Sequence, residues 1–323
     1  MSKRAEVKIY HGFGHTHNLI VFGHVFRKKP AVRFSYRDNL FVNIYHLLRL
    51  FTVKPLPDVP VQLVLEDQVV KGKTEKDGFF KFEWSASHEI NAGWHPVVAN
   101  SLDDHGNVVA TGEGKVFIPH STQYGFISDI DDTVMISHSA TIWRRLRELF
   151  VKNAHTRNAF KDVGKHYSLL AEAHTDEKTQ NPFFYVSSSE WNLYDYLRDF
   201  FDHNKLPQGA FLLNQIKQWF QLFKTGKTKH DGKLIRIVRI LDAFPKQKFI
   251  LFGDNTQRDP FIYAAIAEKF PGHIFAVYIR NVVPSNERKT QEALDGLTSK
   301  GIHTCQFKES AEAIEHSQQI GLI

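Results

Sequence analysis

Four short apolar runs, at 125–128, 183–187, 248–252 and 274–279, are set apart by long amphipathic stretches, and this alternation constrains the fold more than any other feature. Runs so short and so rich in Phe, Ile, Val and Tyr read as strands buried on both faces, and the stretches between them have the length and period of helices. Strand–helix–strand alternation predicts a parallel sheet with helices on both faces. Ligands of such sheets bind beyond the carboxyl ends of the strands. Chemistry is therefore expected in the residues directly after each run.

Upstream of about residue 120 the rhythm is different. Segments 19–26, 61–66, 79–84, 94–100 and 114–118 read as strands, most of them separated by turn-forming stretches such as LPDVP, EKDG and DDHGN. Gly78 is read as the turn residue that leads into the third of these. The stretch 39–51 has a helical period and is expected to cross between strands. The spacing predicts a β-sandwich-like domain over 1–120, followed by the α/β domain over 121–323. A length of 323 residues accommodates two such domains, given about 100–200 residues for each.

The first run ends in SDIDDTV. Asp129 and Asp131 stand two apart at a strand end, where they can divide a phosphoryl transfer between them. Asp129 would attack phosphorus and form an aspartyl-phosphate. Asp131 would protonate the leaving oxygen and then take a proton from the hydrolytic water. A DxDxT turn also occurs as a capping or calcium-type feature, so the later runs carry weight. The second run ends in hydroxyls, with Ser187 at the strand end and Ser188 beside it as donors to phosphoryl oxygens; serines there also commonly cap the next helix. The run 248–252 leads into GDNTQRD. Asp254 and Asp259 offer the hard oxygen ligands that magnesium prefers, although Asp259, followed by Pro260, also reads as a helix N-cap. Lys233, opening the amphipathic segment KLIRIVRIL, is the cation expected between nucleophile and phosphate, with Lys229 and Lys227 as alternatives.

Charge and composition narrow the partners. The net charge of +6 is concentrated in two basic segments, 144–165 and 217–239. They favour an anionic partner: a phosphorylated substrate or an acidic lipid surface. Phe211, Leu212, Leu213, Trp219, Phe220 and Phe223 next to Lys217 and Lys224 read either as core or as a membrane-interface segment. No recognisable nucleic-acid-reading module accompanies the charge, so no nucleic acid is expected. The histidines, His11, His15, His17 and His24 among them, lack metal-ligand spacing and are expected at the surface. A single cysteine, Cys305, and an N-terminus without an apolar signal segment lead to the expectation of a cytoplasmic protein. The sequence assigns no oligomeric state.

The strand-end motifs, in this order, resemble those of the haloacid dehalogenase superfamily. With their flanks, SDIDDTV, FFYVSSSEWNLYDYL and KFILFGDNTQRDPFIYAAIAEKFPGHIFAVYIRNV are similar to the catalytic domain of the actin-patch phosphatidate phosphatase family over about 120–285. The resemblance implies a haloacid dehalogenase-like, Rossmann-type sheet with a small helical cap at about 134–182. It implies Asp129 as nucleophile, Asp131 as acid/base, Ser187 and Lys233 as their partners, and Thr133 and Ser188 in contact with substrate. Magnesium would be held by Asp129, Asp131, Asp254 and Asp259. The chain departs from the family pattern at Glu190 and Asn255 without losing a catalytic group. The implied reaction is hydrolysis of phosphatidate to diacylglycerol and phosphate, with peripheral contact to an anionic membrane. A phosphatase for a soluble phosphomonoester and a catalytically weak binding module are the competing readings.

Overall fold

A computed structural model describes residues 5–27, 52–120, 124–136, 159–175, 180–215 and 229–323, with side chains in the last span described from Gly232 onward. The described residues form two compact units, one of 5–27 and 52–120 and the other from 124 onward. The expected helix at 39–51 lies outside the described residues.

The first unit is β-structure: β1 (Ala5–Ile9), β2 (Gly12–His15), β3 (Asn18–Arg27), β4 (Pro60–Leu65), β5 (Gln68–Lys73), β6 (Phe79–Trp84), β7 (Gly93–Leu102) and β8 (Val108–Ile118). Hydrogen bonding is continuous in the order β1-β3-β2-β8-β7-β4-β5, with β6 also on β3. Neighbours are antiparallel except β2 and β8. β2 links β1, β3 and β6 to β8, β7, β4 and β5, and both sets of strands line one core. β1 lies across β8, where a Cβ on Gly112 or Gly114 would come within 2.4 Å of Val7 or Ile9. Alternating residues such as Val61, Leu63 and Leu65 point into the shared core with Val21, Phe80, Val97 and Val116. Gly78 adopts φ 76°, a left-handed conformation suited to glycine.

The histidine expectation needs correction here. His24 is fully buried, its ring stacked on Phe26 and its Nδ1 2.9 Å from the Tyr10 hydroxyl. Burial, with Lys8 nearby, pushes its pKa down to about 3, so it is a neutral core residue. His11 is buried too.

The second unit holds β9 (Gly125–Ser128), β10 (Phe183–Glu190), β11 (Gly209–Asn214), β12 (Phe249–Asp254), β13 (Ile274–Arg280) and β14 (His303–Phe307). All are parallel, in the order β11-β10-β9-β12-β13-β14. The chain builds outward from β9 to one side, returns to its other edge with β12, and builds outward again. That is the doubly wound order, and its crevice opens where the direction reverses, between β9 and β12. The helices are α1 (Val163–Glu172), α2 (Tyr194–His203), α3 (Lys229–Ala243), α4 (Asp259–Lys269), α5 (Glu287–Thr298) and α6 (Ser310–Gln319).

Alternation along each strand sorts the aromatic residues between the two faces. Phe183, Phe252 and Tyr278 meet rings of His166 or Tyr167 from α1, Phe126 stacks on Phe183 and Phe252, and Tyr185 meets Phe201 of α2. On the opposite face Phe184 meets Phe244, just past α3. The cap expected at about 134–182 is corrected in its second half. Residues 163–172 form α1, which packs on the sheet and joins α6 through His166 Nε2 and Ser317 Oγ at 3.0 Å. Two further strands escaped the sequence reading. Phe211, Leu212 and Leu213 lie in β11 and are buried in the sheet, which removes them from any membrane-interface role; β14 is the other.

Candidate active site

The turn after β9 is tightly wound. The amides of Val134 and Met135 donate to the Ile130 carbonyl, and Asp132, at φ 61°, donates its amide to the Met135 carbonyl at 2.8 Å. The register sets Ser128 beside Tyr185 of β10 and Phe252 of β12. The residues that continue these three strands are therefore level at one end of the sheet.

Four of the expected side chains converge there. Lys233 Nζ lies 2.9 Å from Asp129 Oδ1 and 2.5 Å from Asp259 Oδ1. It is the first described side chain of α3, and its early position in the helix brings it to the strand ends. Asp259 Oδ2 accepts the Asp254 amide at 3.3 Å. Asp254 Oδ1 in turn accepts from the amide and hydroxyl of Thr256. The glycine before Asp254 is required by geometry: a Cβ on Gly253 would lie 2.6 Å from Asp259 Oδ2. Asp259 opens α4 and its N-cap is Arg258, so the capping alternative for Asp259 does not describe it; its carboxylate turns to Lys233.

Asp131 faces another way. Its Oδ2 accepts hydrogen bonds from Ser187 Oγ at 3.1 Å and from Ser189 Oγ at 3.3 Å, while Ser187 Oγ accepts the Ser189 amide. The structure thus brings Ser187 to the acid/base candidate and adds Ser189. Ser188 presents its carbonyl to Asn214 Nδ2 at 3.0 Å. Thr133 is buried; its carbonyl accepts from Arg280 Nε at 3.1 Å, and its hydroxyl has no partner among the described residues. The side chains of Lys227 and Lys229 lie outside the described residues.

The charges are crowded and dry. Burial raises Asp129 well above the ordinary carboxylate range; Lys233 opposes this and Asp259, Asp254 and Asp131 reinforce it. Asp254 is pushed up to about 7 by burial and Asp259, against Lys233 and the bonds from Thr256. Burial alone would lower Lys233, but Asp129, Asp259 and Asp254 outweigh it and hold the ammonium protonated.

The donor set fits a divalent cation. Carboxylate oxygens of Asp129, Asp254 and Asp259 lie within 4.8 Å of one another. Asp129 Oδ2 and Asp254 Oδ2 are buried acceptors with no partner among the described residues, which is costly for a carboxylate. Three carboxylates against the one ammonium of Lys233 leave an excess of two negative charges. Asp131, expected among the metal ligands, does not belong to this group; its carboxylate is turned toward the serines.

Residues 124–281 match the family described as "Phosphatidate phosphatase APP1, catalytic domain". The match spans just under half of the chain. Phosphatidate phosphatase APP1 of Saccharomyces cerevisiae is 30% identical over 182 residues, covering 54% of this chain and 29% of the yeast protein. An uncharacterized protein of Schizosaccharomyces pombe is 26% identical over 159 residues, 49% of this chain and 25% of its own. The chain thus matches less than a third of the length of either relative. Among solved structures, the fibronectin(III)-like modules of Clostridium thermocellum CbhA cover 35% of this chain and 95% of their own at 13% identity, with a TM-score of 0.19 that assigns no fold.

Several residues of this unit were not visible as site residues in the sequence. Asn255 is one: its Nδ2 donates to Asn281 Oδ1 and the Val283 carbonyl, and its Oδ1 accepts the amides of Val282 and Val283. A serine could not make this set, which ties the turn bearing Asp254 to the loop after β13. Arg280 is another. It donates to the Thr133 and Lys308 carbonyls and to Ser310 Oγ, with its guanidinium 4.1 Å from the Phe160 ring and 4.7 Å from that of Phe307. It fastens the turn that carries Asp129 to the far side of the sheet. Only its partners reveal this; the motif YIRNV gives no role.

Proposed function

We propose that this chain is a phosphatase of the haloacid dehalogenase type that hydrolyses phosphatidate to diacylglycerol and phosphate with magnesium as cofactor. The observation that carries the reading is Asp129, buried at the switch point of a doubly wound sheet, ion-paired to Lys233 and grouped with Asp254 and Asp259. The name of the yeast relative supplies the substrate.

The chemistry follows from the side chains. A carboxylate oxygen of Asp129 attacks phosphorus while the bond to the ester oxygen breaks, and the leaving alkoxide takes a proton from Asp131. Ser187 and Ser189 can hold Asp131 in either state, because a hydroxyl donates to a carboxylate and accepts from a carboxylic acid. Water then attacks the aspartyl-phosphate, passes a proton to Asp131, and phosphate departs as the Asp129 carboxylate is restored. Lys233 holds the nucleophile in place and offsets charge as phosphate approaches. Magnesium, held by Asp129, Asp254 and Asp259, would neutralise the repulsion between the carboxylate and a phosphate dianion.

A lipid substrate places the reaction at an anionic membrane surface, and the proposal includes a cytoplasmic location. No described helix is long and apolar enough to cross a membrane. The basic segment 217–239 contributes less to such a surface than its charge count implies, because Lys233 and the guanidinium of Arg236 are turned inward. The test is phosphate release with and without magnesium, comparing short-chain phosphatidate with soluble phosphomonoesters. Turnover of phosphatidate that chelation stops and magnesium restores is expected. A preference for soluble esters would move the assignment to that substrate class, and no release from either would overturn it.

A further inference from the structure

Arg236 stands one turn after Lys233 on α3, and its guanidinium folds back over Gly232, where a Cβ would meet Nη1 at 3.3 Å and Nη2 at 3.6 Å. Nη1 donates to Asn214 Oδ1 at 2.8 Å, and Asn214 Nδ2 donates to the Ser188 carbonyl at 3.0 Å. The guanidinium is thus tethered, through one side chain from the end of β11, to the serine segment of β10 that bonds Asp131. Burial, with Arg239 nearby, lowers its pKa to about 10 against the opposing field of Asp129.

What marks Arg236 is the edge left over. Nε and Nη2 are both shielded from solvent and neither has a hydrogen-bond partner among the described residues. These two nitrogens form one side of the guanidinium fork, the side that matches two oxygens of a phosphoryl group or a carboxylate. Leaving a charged, buried donor pair unmet is expensive, and native structures rarely do so without a use for it. The same end of the sheet also leaves acceptors unmet, Asp129 Oδ2 and Asp254 Oδ2. Orphaned acceptors call for a cation and orphaned donors for an anion, so the two sets together fit a cation-bound phosphoryl group.

We infer that Arg236 is a substrate-binding residue whose Nε–Nη2 edge takes two non-bridging oxygens of the phosphomonoester, with Asn214 fixing its orientation. The inference rests on the phosphatase reading. Its ligand is the phosphoryl group itself, and the rest of the substrate does not touch this edge. Lysine at this position would keep a charge and lose the fork.

The experiment uses the full chain with magnesium and reads two quantities, the affinity for inorganic phosphate by calorimetry and the steady-state constants on p-nitrophenyl phosphate and short-chain phosphatidate. Arg236→Gln is expected to weaken phosphate binding at least tenfold and raise KM on both substrates by a similar factor, with a smaller change in kcat. Arg236→Lys, which preserves charge and bulk, is expected to recover less than half of the lost affinity. Asn214→Ala, which leaves the arginine but removes its tether, is expected to fall between Arg236→Gln and wild type. Unchanged phosphate affinity in a folded Arg236→Gln protein would overturn the assignment, as would full recovery in Arg236→Lys. A loss confined to phosphatidate would overturn it as well, because the edge would then read the glycerol ester portion. If Arg236→Gln does not fold, the lysine and Asn214 variants decide by the same criteria. Wild-type protein that binds phosphate but hydrolyses neither ester would sink the phosphatase reading and leave the arginine assignment to the binding data.

Discussion

Replacing Lys233 with methionine removes the only cation bonded to Asp129 and Asp259 among the described residues, and its cost can be worked from the distances. Ion pairs at 2.9 Å and 2.5 Å are each worth about 6 kcal/mol at an effective dielectric constant near 20. Burying the ammonium takes back several kcal/mol of this, so removal of one partner from a buried ion cluster is expected to cost about 3–5 kcal/mol. At about 2–4 °C per kcal/mol for a unit of this size, the melting temperature should fall by about 10 °C in metal-free protein at pH 8. The loss should shrink at pH 5, because Asp254, pushed up to about 7 by burial and Asp259, takes up a proton there, which removes part of the charge that the lysine balanced. Lysine titration itself does not enter: its raised pKa keeps it charged across this window, and its contribution would be lost only above the ordinary lysine range. Differential scanning fluorimetry at both pH values, in chelator, measures the effect. A variant that melts with wild type at pH 8, or that loses as much at pH 5 as at pH 8, would refute the electrostatic account of this cluster. Phosphate release by the variant should fall at least a hundredfold, about 3 kcal/mol, the order lost with one preorganised charge-stabilising group.

Asp129→Asn should abolish phosphate release while circular dichroism and melting stay close to wild type, whereas Asp131→Asn should slow release and leave magnesium affinity by calorimetry nearly unchanged. In chelator, unfolding free energy should fall as pH rises from about 4 to about 7, because Asp254 binds its proton more tightly folded than unfolded, and magnesium added at pH 8 should restore stability; urea titrations across pH with and without the ion check both. Asn255→Ser should cost about 2–4 kcal/mol in urea unfolding, since most of four side-chain hydrogen bonds disappear, and a cost below about 0.5 kcal/mol would show that the bonds are dispensable.

The sequence was most legible where chemistry and periodicity coincided. The apolar runs that close at Ile127, Val186 and Phe252 announce themselves because Ser or Gly-Asp follows abruptly, and the register sets Ser128 beside Tyr185 and Phe252. β11 was harder. Its Gly-Ala-Phe-Leu-Leu-Asn run sits next to basic and aromatic residues, and a short apolar run cannot be told from part of a helix by period alone. In the first unit alternation marks which residues are buried and leaves the path of hydrogen bonding open. α1 was taken for cap because its partners, Phe252, Tyr278 and Ser317, lie far away in sequence. Arg236, Asn255 and Arg280 share this difficulty. An arginine in a basic segment looks like surface charge until the geometry shows where its nitrogens end.

The placement of β9 also dictates when the site comes into being. Phe126 pairs with Phe183 on one edge and with Ile250 on the other, so the strand that leads into Asp129 gains its second neighbour only after a long intervening stretch has been synthesised. Until β12 docks, β9 presents an open edge, and neither Asp254 nor Asp259 has reached Asp129. Pairings so distant in sequence are slow to close, and unpaired edges invite association between chains. A ribosome-bound or truncated chain that stops before residue 249 would therefore carry Asp129 without Asp254 and Asp259, on a strand with one edge unpaired.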